Sequence, residues 1–266
     1  MSKYARRIYD QVADEYDERK MLSALGKMDK ALTWERIKNA LAKDKRSLIL
    51  DAGGGTGLWA IPLAQAGYKV VLLDLSFEML KEAERKIMEA GLIRQVSIIQ
   101  GDVCHLGMFP EETFGFILAI GDVLSYCDDA EVAVKEFYRV ARPDAYIIAE
   151  VENRYTVYLS GRRGETWEDI KRNIFEGKAV YPDPQNPFPI RLFTPEEARQ
   201  IFEQNGWRLE CLTGKYISPV LLGSDMAESA ASNDQTLKEL VEIERRLQAD
   251  SSLLGSGLSI EITAKK

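Results

Sequence analysis

Two hydrophobic rhythms alternate along the chain. Through residues 4–20 and 28–43 apolar positions recur at helical spacing, as Ala31, Leu32, Trp34, Ile37 and Leu41 show in the second segment. At Ser47–Asp51 (SLILD) the pattern becomes a short unbroken apolar run, the signature of a strand buried on both faces. Gly53–Gly57 ends that run, and a helix follows to about Ala66, with Gly67 suited to its C-terminal cap. The cycle then repeats. Lys69–Asp74 (KVVLLD) predicts a strand ending in an acid, and Ser76 caps a helix that reaches Ala90 and closes at Gly91. Val96–Gln100, Phe114–Ile120 and Tyr146–Glu150 predict further strands, with a helix over Asp129–Ala141.

Strands alternating with helices at this spacing mean βαβ units, a parallel sheet and right-handed crossovers. The expected class is α/β, doubly wound. From Asn153 the rhythm breaks. Residues 153–190 hold Gly161, Gly164 and the run YPDPQNPFP (Tyr181–Pro189), which predicts an irregular lobe or lid. Regular structure resumes with a helix at Thr194–Gly206, capped by Thr194 with Pro195 at its first position. A strand at Trp207–Tyr216, a helix at Asn233–Gln248 and a strand at Leu258–Thr263 follow, with a mobile loop expected near 224–232. The expected organisation is a helical cap (1–45), a ligand-binding core (46–152), an inserted lid (153–192) and a segment completing the sheet (193–266).

Composition narrows the options. Of 266 residues 45% are hydrophobic and 29% charged, enough to bury a core without disulfide or metal staples. The formal net charge of −7 argues against an extended nucleic-acid-binding surface. Cys104, Cys127 and Cys211 are scattered and lack CxxC spacing, which suits a reducing cytoplasm. His105 is the sole histidine, so a histidine-rich metal site is excluded and no metal is expected. No apolar run approaches the ~20 residues that span a bilayer, and the N-terminus has no apolar signal core. A cytoplasmic monomer or homodimer that does not enter a membrane is expected.

The strongest chemical signal is Asp51-Ala52-Gly53-Gly54-Gly55-Thr56-Gly57, between a strand and a helix. Glycines there allow a tight turn and let a ligand approach with no Cβ in the way. Open α/β sheets bind ligands at such strand ends. Gly55-Thr56-Gly57-Leu58-Trp59-Ala60 also satisfies the relaxed dinucleotide pattern, so an NAD-dependent oxidoreductase is one reading. Asp51, directly before the glycines, would repel a pyrophosphate but suits a ligand carrying an ammonium and a sulfonium. Asp74 can accept from a ribose diol in either cofactor. Asp102, in Gly101-Asp102-Val103, can take an adenine amine while Val103 covers the ring. Each also has a plainer reading, as a tight turn, a strand-end cap or a loop cap.

The order of LILDAGGGTG, VVLLDLSFEML, IIQGDV and ILAIGDVLSY resembles the class I S-adenosylmethionine-dependent methyltransferases over nearly the whole chain. The resemblance implies a Rossmann-like, mostly parallel seven-stranded sheet with an antiparallel last strand, and S-adenosyl-L-methionine as cofactor. It implies that Ala52, Gly53, Gly54 and Gly55, behind Asp51, hold the methionine part. Asp74 and the adjoining Leu75 would hold the ribose, and Asp102 and Val103 the adenine. Ile120 and Gly121 would form the floor near the sulfonium. The N-terminal YDQVADEYD is similar to the family's leading segment, which would lay Tyr9 toward the acceptor and Tyr16 over the cofactor. Two departures stand out: Gly115 replaces the acid often found in the fourth strand, and Pro143-Asp144-Ala145 replaces the usual PGG turn.

A narrower resemblance lies in TPEEARQIFEQNGW, GKYISP and LKELVEIERRL. These are similar to bacterial tRNA wobble-uridine carboxymethoxy methyltransferases and related small-molecule methyltransferases. The implied reaction is direct displacement onto a small molecule or a modified tRNA nucleoside. No catalytic base is obvious. Glu150 and Glu152, at the end of the fifth strand, are the candidates for acceptor contact or proton uptake. The lobe after them carries Arg154, Tyr155, Tyr158, Arg162, Arg163, Lys171 and Arg172. Arg154, Tyr155 and the later Arg191 are the candidates for substrate binding, since arginines and aromatics together bind anions, planar rings or RNA. A non-catalytic S-adenosylmethionine-binding protein is a further reading.

Overall fold

Among the described residues two helices precede the sheet, α1 (Lys3–Val12) and α2 (Ala24–Ala40), the second capped by Ser23, whose hydroxyl accepts the Gly26 N–H. The computed structural model describes residues 3–17, 22–41, 47–156, 166–180 and 187–266. The repeating core then runs β1 (Leu48–Ala52), α3 (Ala60–Gln65), β2 (Lys69–Asp74), α4 (Phe77–Glu89), β3 (Val96–Gln100), β4 (Phe114–Ala119), α5 (Val123–Tyr126), α6 (Ala130–Val140) and β5 (Ala141–Glu152). Ser76 and Asp129 cap α4 and α6 by accepting the Met79 and Val132 N–H groups. Next come α7 (Trp167–Glu176), β6 (Lys178–Val180), β7 (Pro189–Arg191), α8 (Pro195–Glu203) and β8 (Arg208–Lys215). The chain ends with α9 (Ile217–Leu222), α10 (Ser224–Ser229), α11 (Asp234–Gln248) and β9 (Ser259–Lys265).

Seven strands form one sheet in the order β3-β2-β1-β4-β5-β9-β8. The first five pair in parallel, and β9 runs antiparallel between β5 and β8. The strand order reverses beside β1, so the carboxyl ends of β1 and β4 flank the crevice where such sheets bind ligands. The apolar runs that predicted buried strands are buried: Ile49, Leu50 and Ala52 of β1 and Leu72 and Leu73 of β2 have no exposed surface. One core packs on each face. Phe114, Phe137, Phe202 and Trp207 anchor one, and Trp59, Leu63, Leu80 and Phe116 anchor the other.

The departures from the predicted elements have physical causes. The helix expected over 4–20 stops at Val12, and the chain turns so that Asp17 reaches Thr56 and Lys86. β5 runs on to Glu152 because β9 pairs with it from Tyr146 to Glu152, and it begins as early as Ala141, which pairs with Phe114 of β4. The irregular lobe contains α7 and the β6–β7 hairpin; the α7 start is a capping box in which Thr166 and Asp169 exchange hydrogen bonds. The loop expected near 224–232 is α10 and a single 3₁₀ turn, Ala230–Ser232. Tyr158, Arg162, Arg163 and most of the proline-rich run (181–186) lie outside the described residues. No helix among the described residues is long and apolar enough to cross a membrane.

Candidate functional site

The turn after β1 is built from backbone. The Gly53 and Gly54 N–H groups both donate to the Leu73 carbonyl of β2, at 2.7 and 3.1 Å, which folds the turn back over the sheet edge. Two of these positions admit only glycine. Gly53 has φ +71°, and a Cβ there would sit 2.5 Å from Val123 Cγ2. At Gly54 a Cβ would lie 2.8 Å from the Asp51 carboxyl carbon. The glycines therefore leave a cradle next to a buried acid.

Asp74 fixes the second side. Its Oδ2 accepts the Gly55 N–H at 3.0 Å and its Oδ1 accepts the Ser76 N–H at 2.8 Å. Each oxygen keeps a lone pair for a further donor, so the carboxylate is set to receive two hydroxyls. Burial pushes its pKa up, and the hydrogen bonds from Ser76 and Gly55 oppose that shift. Asp51 lies deeper. Burial raises its pKa to about 7, against a lowering hydrogen bond from the Ala60 backbone and with a further raise from Asp74. Asp51 Oδ2 is buried and has no hydrogen-bond partner among the described residues.

A cleft opens between these turns and the N-terminal segment. Of the sequence-predicted residues it brings together Tyr9, Tyr16, Gly53, Gly54, Gly55, Asp74, Ile120 and Gly121. Asp51 and Ala52 lie buried behind it. The segment that carries the tyrosines is tied down at both cleft turns: Asp10 accepts the Ser76 hydroxyl at 2.5 Å, and Asp17 accepts the Thr56 hydroxyl at 2.5 Å and pairs with Lys86. Tyr9 and Tyr16 meet edge to face at 6.1 Å. Thr56, Leu58, Trp59, Met79 and Val123 also line the cleft and were not singled out from the sequence. Thr56, inside the glycine run, carried a readable signal; Val123 gains its place only through the contact with Gly53.

Other predicted residues sit elsewhere. Val103 packs in the core with Val123 and Leu124, while Asp102 turns back to accept the Cys104 N–H at 2.9 Å. Leu75 packs against the cluster of Ile8, Tyr126 and Phe188 under the β6–β7 hairpin. Glu150 is 3% exposed; one oxygen accepts the Gly121 N–H at 3.1 Å and the other lies 3.1 Å from Lys215 Nζ. Glu152 accepts the Tyr126 hydroxyl at 2.6 Å. Burial and the Glu152 charge push the Tyr126 phenol well above its ordinary pKa, so it stays a donor. Arg154 pairs with Glu197 at 2.5 Å and Arg191 with Glu131 at 2.6 Å, and both line a second cavity beyond α5. Tyr155 is exposed. The cleft does not gather these three substrate candidates.

Comparison with known proteins bears on this arrangement. The family described as "Methyltransferase domain" matches residues 50–149, which span β1 to most of β5. The chain is 33% identical over 189 residues to the ubiquinone/menaquinone biosynthesis C-methyltransferase of Methylococcus capsulatus, covering 68% of this chain and 72% of that protein. It is 23% identical over 265 residues to the tRNA 5-carboxymethoxyuridine methyltransferase of Escherichia coli K12, covering 98% of this chain and 96% of that one. Among solved structures, a SAM-dependent methyltransferase from Methanosarcina mazei superposes with a TM-score of 0.62 at 20% identity, over 87% of this chain and 96% of that chain.

Proposed function

The chain belongs to the class I S-adenosylmethionine-dependent methyltransferases, its cofactor is S-adenosylmethionine, and from that premise we propose that it methylates a carboxylate oxygen on a modified tRNA nucleoside. The residues present fit the cofactor. Gly53, Gly54 and Gly55 open a cradle with no Cβ, Asp74 has two spare lone pairs for a ribose diol, and Asp51 places an acid behind the cradle. We assign the methionine part to the glycine turn, the ribose to Asp74, and the floor to Ile120 and Gly121, with Tyr16 as a cover.

When bound, the cofactor supplies a methyl carbon already activated by its sulfonium. The chain then has to align an acceptor and keep water out, effects worth roughly 7–11 kcal/mol. Buried Tyr126 backs Tyr9 at a centroid distance of 6.5 Å, and Tyr9 and Tyr16 line the cleft with ring centroids 6.1 Å apart. They are suited to stacking on a planar base while excluding water.

The observation that carries the acceptor class is the engagement of both acids. Glu150 serves Lys215 and Gly121, and Glu152 serves Tyr126. An acceptor that is anionic at neutral pH needs no base, and a carboxylate is one. The tRNA nucleoside is favoured by the reach of the match: the tRNA-modifying relative aligns from end to end, including α8, β8 and α11, whereas the quinone-pathway relative aligns over about two thirds. The net charge of −7 favours a second reading, a small carboxylic acid free in solution.

Radiolabelled methyl transfer tests this. tRNA bearing 5-carboxymethoxyuridine should take up label that mild alkali releases as methanol, the mark of a methyl ester. Label on the free nucleoside and none on tRNA would favour the small-molecule reading. Alkali-stable label would overturn the carboxylate assignment.

A further inference from the structure

Lys215 ends β8 with a side chain only 2% exposed, and the cofactor contacts assigned above do not use it. Its ammonium lies 2.7 Å from Asp29 of α2, 3.1 Å from Glu150 of β5 and 3.9 Å from Glu261 of β9. Arg36 of α2 pairs with Glu261 from the other side. Two cations thus face three carboxylates in the interior, leaving one net negative charge. Glu150 and Glu261 are direct cross-strand partners, a register at which like charges repel. The Lys215 ammonium, within 3.1 and 3.9 Å of the two, offsets that repulsion.

An ion network of this kind holds a fold together no better than apolar packing of the same volume. Its second connection gives it another role. Glu150 uses the oxygen that does not face Lys215 to accept the Gly121 N–H, a charge-assisted bond stronger than a neutral one. Gly121 has φ +88°, lines the cleft, and leads into Asp122, which is itself left-handed at φ 60°. The turn after β4 therefore depends on a carboxylate whose position depends on Lys215.

We propose that Lys215 is a positioning residue for methyl transfer: it fixes Glu150, and Glu150 holds the Gly121 turn that forms the cofactor floor. This rests on the cofactor reading above. Lys215→Met removes the charge and keeps much of the volume. Glu150→Gln puts an amide NH₂, a donor, where one of the two oxygens now faces either Lys215 or the Gly121 N–H, so one of the two contacts is lost. Both should weaken S-adenosylhomocysteine binding, read by calorimetry on folded protein, by about fivefold or more. Lys215→Arg should restore it to within about twofold, because a cation is again present.

A merely structural lysine would lower the melting temperature and leave the affinity of the folded protein unchanged. Affinity within about twofold of the parent in folded Lys215→Met overturns the proposal. If that variant does not fold, Glu150→Gln decides by the same criterion. Failure of the parent chain itself to bind S-adenosylhomocysteine would instead fell the cofactor reading, and this inference with it.

Discussion

The functional edge of the sheet is made in two ways. On the β1–β2–β4 side it is backbone: two glycine N–H groups on the Leu73 carbonyl, two further N–H groups on Asp74, and a cradle where a side chain would collide. On the β5–β9–β8 side it is ionised side chains: Lys215 and Arg36 among Asp29, Glu150 and Glu261. The difference reflects what each side must hold. A ligand that approaches backbone closely needs Cβ atoms removed, whereas the ionic side reaches the cleft only from behind, through the Gly121 turn. The two sides meet at Gly121, whose N–H is bound by Glu150.

The largest expected effect breaks the ionic side. Glu261 is 1% exposed and faces both cations, so Glu261→Ala leaves buried positive charge uncompensated. The expected cost is about 4 kcal/mol in urea unfolding. Replacing Arg36 and Glu261 together by Met should recover most of it, since the desolvation penalty leaves with the charges. A single substitution costing under about 1 kcal/mol would show that the ions do not organise this side, and that packing around Ile260 and Ile262 does.

This contrast also explains what was legible in the sequence. The parallel half announces itself locally: Asp51 to Gly57 lie within seven successive positions, and Asp74 ends the next apolar run. Backbone constraints leave a short-range signature because a left-handed turn favours glycine, and at Gly53 a Cβ would also collide with Val123. The helix starts at Ser76, Asp129 and Thr194 were readable for the same reason, since a cap is a local contact. The ionic half leaves no such trace. Asp29, Arg36, Glu150, Lys215 and Glu261 are spread over most of the chain, and each alone reads as an ordinary polar residue. Glu150 stood out only for its place at a strand end, which suggested acceptor chemistry; the fold shows it bound to Lys215 and Gly121.

A smaller effect separates the two kinds of buried acid by pH. Asp51 pairs with no cation among the described residues, and burial lifts its pKa to about 7 in the folded chain. Its unfolded value is about 4. Below pH 4 both states hold the proton and the stability is fully present. Between pH 4 and 7 the unfolded chain has lost the proton while the folded chain keeps it, so stability falls by about 1.4 kcal/mol per pH unit. Above 7 the loss stops growing. Asp51→Asn removes this contribution. The stability difference between parent and Asp51→Asn should therefore shift by about 2 kcal/mol between pH 5 and 6.5, always against the parent. An unchanging difference would mean that Asp51 ionises in the fold as easily as outside it, and the contrast with the cation-matched acids would disappear.

The finest test concerns how Asp74 acts, because it belongs to both the loop and the ligand. Asp74→Ala should weaken S-adenosylhomocysteine at least about tenfold, or 1.4 kcal/mol. That loss alone has two sources: the ribose loses its acceptors, and the Gly55 and Ser76 N–H groups lose theirs. A cofactor analogue lacking both ribose hydroxyls separates them. If the carboxylate acts on the ribose, the analogue binds the parent weakly, and Asp74→Ala weakens it little further, since the contact is already gone. If Asp74 only supports the loop, the same tenfold loss recurs with the analogue. The first pattern makes Asp74 a ligand contact set into a turn otherwise made of backbone; the second makes it a support for that turn alone.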